Sequence, residues 1–79
     1  MTESIFLASL GDRIREVRLS KAMTQNELAT LCHFEKASMS RIESGKTNVT
    51  LLTLRKISKA LEVEIDELLR VKITEAAEQ

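Results

Sequence analysis

Residues 24–43 read TQNELATLCHFEKASMSRIE. Thr24 can accept a hydrogen bond from a free backbone N–H at a helix start, and Glu27, three residues on, completes a capping box. Leu28, Ala29 and Cys32 then share one face, which predicts a helix ending near Cys32. A further helix is predicted from about Lys36 to Ser44. Met39 and Ile42 turn inward in it, while Lys36, Ala37, Ser38, Ser40 and Arg41 turn outward. Gly45 stands where a left-handed helix end is expected. Two helices meeting at a tight turn need a small side chain where they cross, and Ala29 supplies one. Phe34, Met39 and Ile42 give the second helix of the pair an apolar back. Helices this short do not survive alone, so the rest of the chain must hold them.

The flanks are suited to that. Upstream, Leu7, Leu10, Ile14 and Val17 recur at spacings of three and four, predicting a helix from about Ile5 to Lys21. Gly11 weakens it, and a break there is compatible with the pattern. Downstream, Thr50 caps a fourth helix with Leu51, Leu54, Ile57 and Leu61 on its core face. A fifth runs roughly from Ile65 to Val71, with Asp66 and Glu67 in its first turn, where the helix dipole favours them. The chain has no proline, two glycines and no alternating β-branched run. An all-α architecture of five helices is therefore expected, with residues 5–72 as one domain and 73–79 as a frayed tail.

Composition narrows the function. With a single cysteine (Cys32) and a single histidine (His33) there is neither a disulfide framework nor a metal-ligand cluster. Cys32 reads as a small buried hydrophobe. No paired carboxylates, no nucleophile with a base and no glycine-rich phosphate loop occur, so neither an enzyme nor a cofactor is expected. The N-terminus lacks a signal peptide, and the longest apolar run, Ile5 to Ala8, is far short of a membrane span. A cytoplasmic setting is expected. The formal net charge is zero, but its distribution is uneven. Residues 13–59 hold ten basic and four acidic side chains, a surplus of six positive charges balanced by the two ends. A basic face with an acidic far side can still orient on a polyanion.

The segment TQNELATLCHFEKASMSRIESGK resembles the helix-turn-helix of the Cro and lambda-type phage repressors, the XRE-like group. The likeness runs from about Leu10 to Leu69. It is carried jointly by Arg18, Met23-Thr24-Gln25, Glu27-Leu28-Ala29, Ser40-Arg41-Ile42-Glu43, Gly45-Lys46 and LLTLRKISKALEVEIDELL. The resemblance implies a lambda-repressor-like fold that places its third helix in the major groove of double-stranded DNA. It implies Lys36, Ala37, Ser40 and Arg41 as base readers. Arg41 has the planar fork that suits guanine O6 and N7, whereas Ala37 can only touch a thymine methyl. Backbone contacts are implied for Thr24 and Gln25 at the start of the second helix, for Glu35 just before the third, and for Lys46, Thr47 and Asn48 after it. Ser38 faces either the groove edge or the backbone. Arg18 and Glu43 are implied to form a partly buried ion pair.

Two positions depart from the family pattern. His33 stands where glycine is usual in the turn. Glu35 stands where Ser or Thr usually precedes the recognition helix. Its carboxylate can cap the helix and suits the dipole, yet it repels a nearby phosphate, so backbone docking there should differ.

Members of this group usually bind as two-fold dimers on half-sites one helical turn apart. Val63, Ile65, Leu68 and Leu69 are the expected dimer interface, and Ile5, Phe6 and Leu7 can extend it. The expected function is a sequence-specific transcriptional regulator. No sensor domain accompanies the motif in this sequence, so occupancy is expected to follow protein concentration. This looks like the controller proteins of restriction–modification systems. The alternative is an antitoxin that also represses its own operon. A protein-interaction module without DNA binding is a further class, which absence of any salt-dependent DNA binding would favour.

Overall fold

The computed structural model describes residues 2–71 of the 79. The expected frayed tail, 73–79, lies outside the described residues. Five helices follow one another: α1 (Glu3–Ser20), α2 (Gln25–Cys32), α3 (Lys36–Glu43), α4 (Leu51–Leu61) and α5 (Ile65–Leu68). Among the described residues no helix is long and apolar enough to cross a membrane.

α1 begins two residues earlier than the apolar spacing predicts. Thr2 caps it, its hydroxyl accepting from the Ile5 N–H at 3.2 Å. α1 is also unbroken at Gly11. That glycine is buried against the end of α3, where a Cβ would meet the backbone carbonyl oxygens of Glu43 and Ile42. Gly11 is thus a crossing point between two helices rather than a weak spot in one.

α1 to α4 end alike. A residue in left-handed conformation follows each: Ala22 (φ 55), His33 (φ 60), Gly45 (φ 74) and Glu62 (φ 59). At each, the next residue's N–H reaches back to close the last turn: Met23 to Arg18 O, Phe34 to Ala29 O, Lys46 to Arg41 O and Val63 to Ser58 O, at 2.8–3.2 Å. These are Schellman motifs, which satisfy the orphan carbonyls of a helix end. Only one of the four uses glycine. At Gly45 the φ is not the whole constraint, because a Cβ there would lie 2.6 Å from Ala8 Cα.

The core draws on all five helices. Leu10, Ile14 and Val17 of α1 meet Leu28, Ala29 and Cys32 of α2, Met39 and Ile42 of α3, Leu54, Ile57 and Leu61 of α4, and Leu68 of α5. α3 packs on α1 and α2, α4 covers the back of α2, and α5 closes against α1 and α4. Arg13 fastens α5, its Nε donating to Glu67 O at 2.7 Å.

Three expectations need correction. Leu51 is not in the core but 70% exposed, because the buried face of α4 begins one turn later, at Leu54. α5 stops at Leu68 rather than near Val71. Leu68 itself is fully buried in the protomer core, so it has no surface to offer a partner.

Candidate nucleic-acid interface

α2 starts with a complete capping box. The Glu27 N–H donates to Thr24 Oγ1 at 3.0 Å, and the Thr24 N–H donates to Glu27 Oε1 at 2.7 Å. That backbone bond, with help from the Thr24 hydroxyl, holds the exposed Glu27 carboxyl below its ordinary pKa. The side chain of Thr24 is thereby engaged in the cap. The turn to α3 runs through His33, which adopts the left-handed conformation at φ 60 and ψ 38. Phe34 is half-buried beneath it, and Lys56 Nζ sits 5.8 Å from the ring centroid. Glu35 occupies the N-cap position of α3 but makes no side-chain cap bond. The carboxylate cap that the sequence allows at Glu35 is therefore not formed, and the side chain stays exposed.

α3 is divided by its own periodicity. Met39, Ile42 and Glu43 are buried, while Lys36, Ala37, Ser38, Ser40 and Arg41 are exposed. The exposed residues form a ridge between two open hollows. On one side Thr24, Gln25, Lys36 and Ser40 line a cleft with Asp12, Arg15, Arg18, Asn26, Glu43 and Ser44. On the other, Ser38 and Arg41 line a hollow with Thr47 and Asn48. The structure thus brings the anticipated residues together in two groups flanking one helix. Ala37 and Lys46 line neither hollow but are exposed beside them.

Among the described residues no carboxylate pairs with Lys36, Arg41 or Lys46. Their charges are left for an outside acceptor. No group of His, Cys, Asp or Glu among those residues could hold a metal. Cys32 is a buried free thiol, and burial raises its pKa.

One end of the ridge is fixed to the core by charge. Arg18 Nε donates to Glu43 Oε2 at 2.7 Å and its NH2 to Oε1 at 3.0 Å. Its NH1 donates to Met23 O at 2.8 Å, just before the α2 cap. Gln25 Nε2 donates to the same Glu43 Oε1 at 3.1 Å. Sequence reading did not anticipate this link, nor Arg15 and Asn26 in the cleft. The signal for Arg15 was available, since it precedes Arg18 by one helical turn on α1.

A ridge carrying cations that are unpaired among the described residues, with a polar cleft on one side and on the other a mixed hollow that Phe34, Ile42 and Val49 also line, fits a groove bounded by two phosphate strands. Comparison with known proteins agrees. The helix-turn-helix family model HTH_3 matches residues 14–68. The control protein C.BamHI of Bacillus amyloliquefaciens is 44% identical over 70 residues, covering 87% of this chain and 85% of that protein. The control protein C.MunI of Mycoplasma sp is 34% identical over 59 residues, covering 73% and 80% respectively. The crystal structure of the restriction–modification controller protein C.AhdI from Aeromonas hydrophila aligns with a TM-score of 0.76 at 35% identity, covering 78% of this chain and 94% of that one. The chain belongs to the HTH_3 helix-turn-helix family and is a DNA-binding regulator of the XRE type.

Proposed function

We propose that this protein is the controller of a restriction–modification system, binding a two-fold operator as a homodimer. The observation that carries this reading is the extent of the match to controller proteins, which takes in 85% of C.BamHI and 94% of C.AhdI. The antitoxin alternative has less behind it. The two are separated by the neighbouring gene, a restriction endonuclease in one case and a toxin in the other.

In this reading α3 enters the major groove, with Lys36, Ala37, Ser40 and Arg41 toward base edges. Gln25 with the start of α2 serves one phosphate strand; Ser38, Lys46, Thr47 and Asn48 serve the other. Glu35 carries an uncapped carboxylate at the groove end of α3. It disfavours a phosphate at that point and directs the nearest backbone contacts to its neighbours. The partner-facing surface is Leu69, 44% exposed, with Ile5 and Phe6 and the outer edges of the half-buried Val63, Ile65 and Leu7.

Selection of binding sites from random duplexes tests the proposal. The selected site should have two-fold symmetry. Arg41→Ala should relax preference at one position per half-site, at a cost of about 1–3 kcal/mol. A uniform affinity loss at every sequence would make Arg41 a phosphate contact instead. Sedimentation that shows only monomer at micromolar concentration would remove the dimer from the proposal.

A further inference from the structure

Gln25 is shared between the protein and the space in front of it. Its Nε2 donates to Glu43 Oε1, an oxygen that also accepts from Arg18 NH2, while Oε2 accepts from Arg18 Nε. Glu43 is 5% exposed and lies on α3, whereas Gln25 opens α2 and is half-buried in the cleft. Three helices therefore meet in one hydrogen-bonded group.

A primary amide has one end that donates twice and one that only accepts. A DNA phosphate only accepts. Gln25 can serve a phosphate only with Nε2 toward it, and an amide free to turn offers its carbonyl as readily. Beside Glu43 that freedom is gone, because a flipped amide would set Oε1 against a carboxylate. One Nε2 hydrogen goes to Glu43 and the second remains for the cleft. Lys36 and Arg15, which also line the cleft, carry only donors; Asp12, Asn26, Ser40 and Ser44 line it too, but among the described residues Nε2 donates to none of them. A carboxylate so near a phosphate would ordinarily repel it. The guanidinium of Arg18 cancels that charge, so the acceptor reaches Gln25 inside a neutral pair.

We infer that Glu43 is a positioning residue for DNA binding: its bond from Gln25 Nε2 fixes that amide with the second hydrogen facing the DNA backbone. The inference rests on the proposed role of Gln25 as a phosphate contact, and its test separates the two. In the selected operator, a neutral methylphosphonate is placed at each backbone position in turn, and affinity is measured for wild type, Gln25→Ala and Glu43→Leu, which keeps the side-chain volume but has no acceptor. Wild type should lose about tenfold at the phosphate that Gln25 serves, the scale of one hydrogen bond to a charged group. Gln25→Ala should become insensitive at that position alone, and Glu43→Leu should lose sensitivity at the same position while keeping it elsewhere. If Glu43→Leu keeps the full effect there, or weakens every position alike, the positioning role is overturned while the Gln25 contact stands. If Gln25→Ala leaves the scan unchanged, the phosphate contact fails and the inference falls with it. A measurement on unaltered protein covers the case in which Glu43→Leu does not fold. The Gln25 side-chain amide should show an NMR order parameter near the rigid-backbone value of about 0.85, and a value below about 0.6 overturns the inference.

Discussion

Arg18 clamps Glu43 with two donors, Nε to Oε2 at 2.7 Å and NH2 to Oε1 at 3.0 Å, while its third nitrogen holds Met23 O. Both side chains are more than nine-tenths buried. Glu43→Ala leaves a guanidinium inside the protein without its counter-charge. The expected loss is about 3–5 kcal/mol, a large share of the roughly 5–15 kcal/mol that holds a domain folded. The thermal midpoint should fall by roughly 10 °C or more. An unchanged midpoint would contradict this. Replacing both partners by apolar residues of similar volume, Arg18→Met with Glu43→Leu, should recover much of the loss.

The two glycines should resist substitution for reasons of space. At Gly11 an added methyl meets Ile42 O at 2.7 Å and the still closer Glu43 O, and at Gly45 it meets Ala8 Cα at 2.6 Å. All of these neighbours are backbone, which cannot swing aside. Gly11→Ala should lose about 1–3 kcal/mol by overpacking, although alanine is the better helix former. Gly45→Ala adds the cost of a left-handed φ to a similar clash. Chemical denaturation of both variants reads this directly. A more stable Gly11→Ala would mean that α1 and α3 cross elsewhere.

His33 presents the opposite case. It holds φ 60 with its side chain exposed, so it carries the conformational cost without a packing return. His33→Gly should stabilise by about 1 kcal/mol, somewhat less than the full left-handed penalty, because glycine also loses more entropy on folding. Glu62→Gly, at the same place in the α4 terminus, should behave alike. Both effects are visible as shifts in denaturation midpoint. A loss of stability on removing either side chain would indicate a contact that offsets its strain.

The capping box makes part of the stability acid-sensitive. The Thr24 N–H, followed by its hydroxyl, holds the Glu27 carboxyl below its ordinary value of 4.5. The folded protein therefore binds this proton less readily than the unfolded chain. The stabilisation is complete above pH 4.5 and fades as pH falls through the lowered folded value. Glu27→Gln should be less stable than wild type at neutral pH, and the gap should narrow below that point. Thr24→Ala should cost about 1 kcal/mol at neutral pH. A gap of constant size down to strongly acid pH would disconnect Glu27 from the cap.

What sequence reveals here is mostly local. The Thr24–Glu27 box, the Thr50 cap and the inward Met39 and Ile42 follow from spacing along single helices, and the structure has them where the spacing puts them. The turn at His33 was legible from the motif, in which glycine is usual at that place, and the residue there is left-handed. Contacts made across the chain were not legible. Gly11 reads as a helix-weakening residue until α3 is known to lie against it. Leu68 and Leu69 are adjacent apolar residues, and only tertiary packing puts one in the core and leaves the other 44% exposed. The Gln25–Glu43 bond spans 18 residues and leaves no mark in any local pattern.

α3 is held more firmly at its end than at its start. Its last turn is locked by Glu43, by the Gly11 crossing and by the Gly45 terminus, while its first turn has no side-chain cap, exposes Lys36, Ala37 and Ser38, and is anchored by Met39. The residues that fold the protein and those that would choose its DNA therefore share eight positions without competing for them. Lys36, Ala37, Ser40 and Arg41 are exposed and can be exchanged with little cost to the core, so with the base-reading role proposed for them new operator preferences lie within reach of a few surface substitutions. Lineages of such regulators can diverge in target while the scaffold stands still.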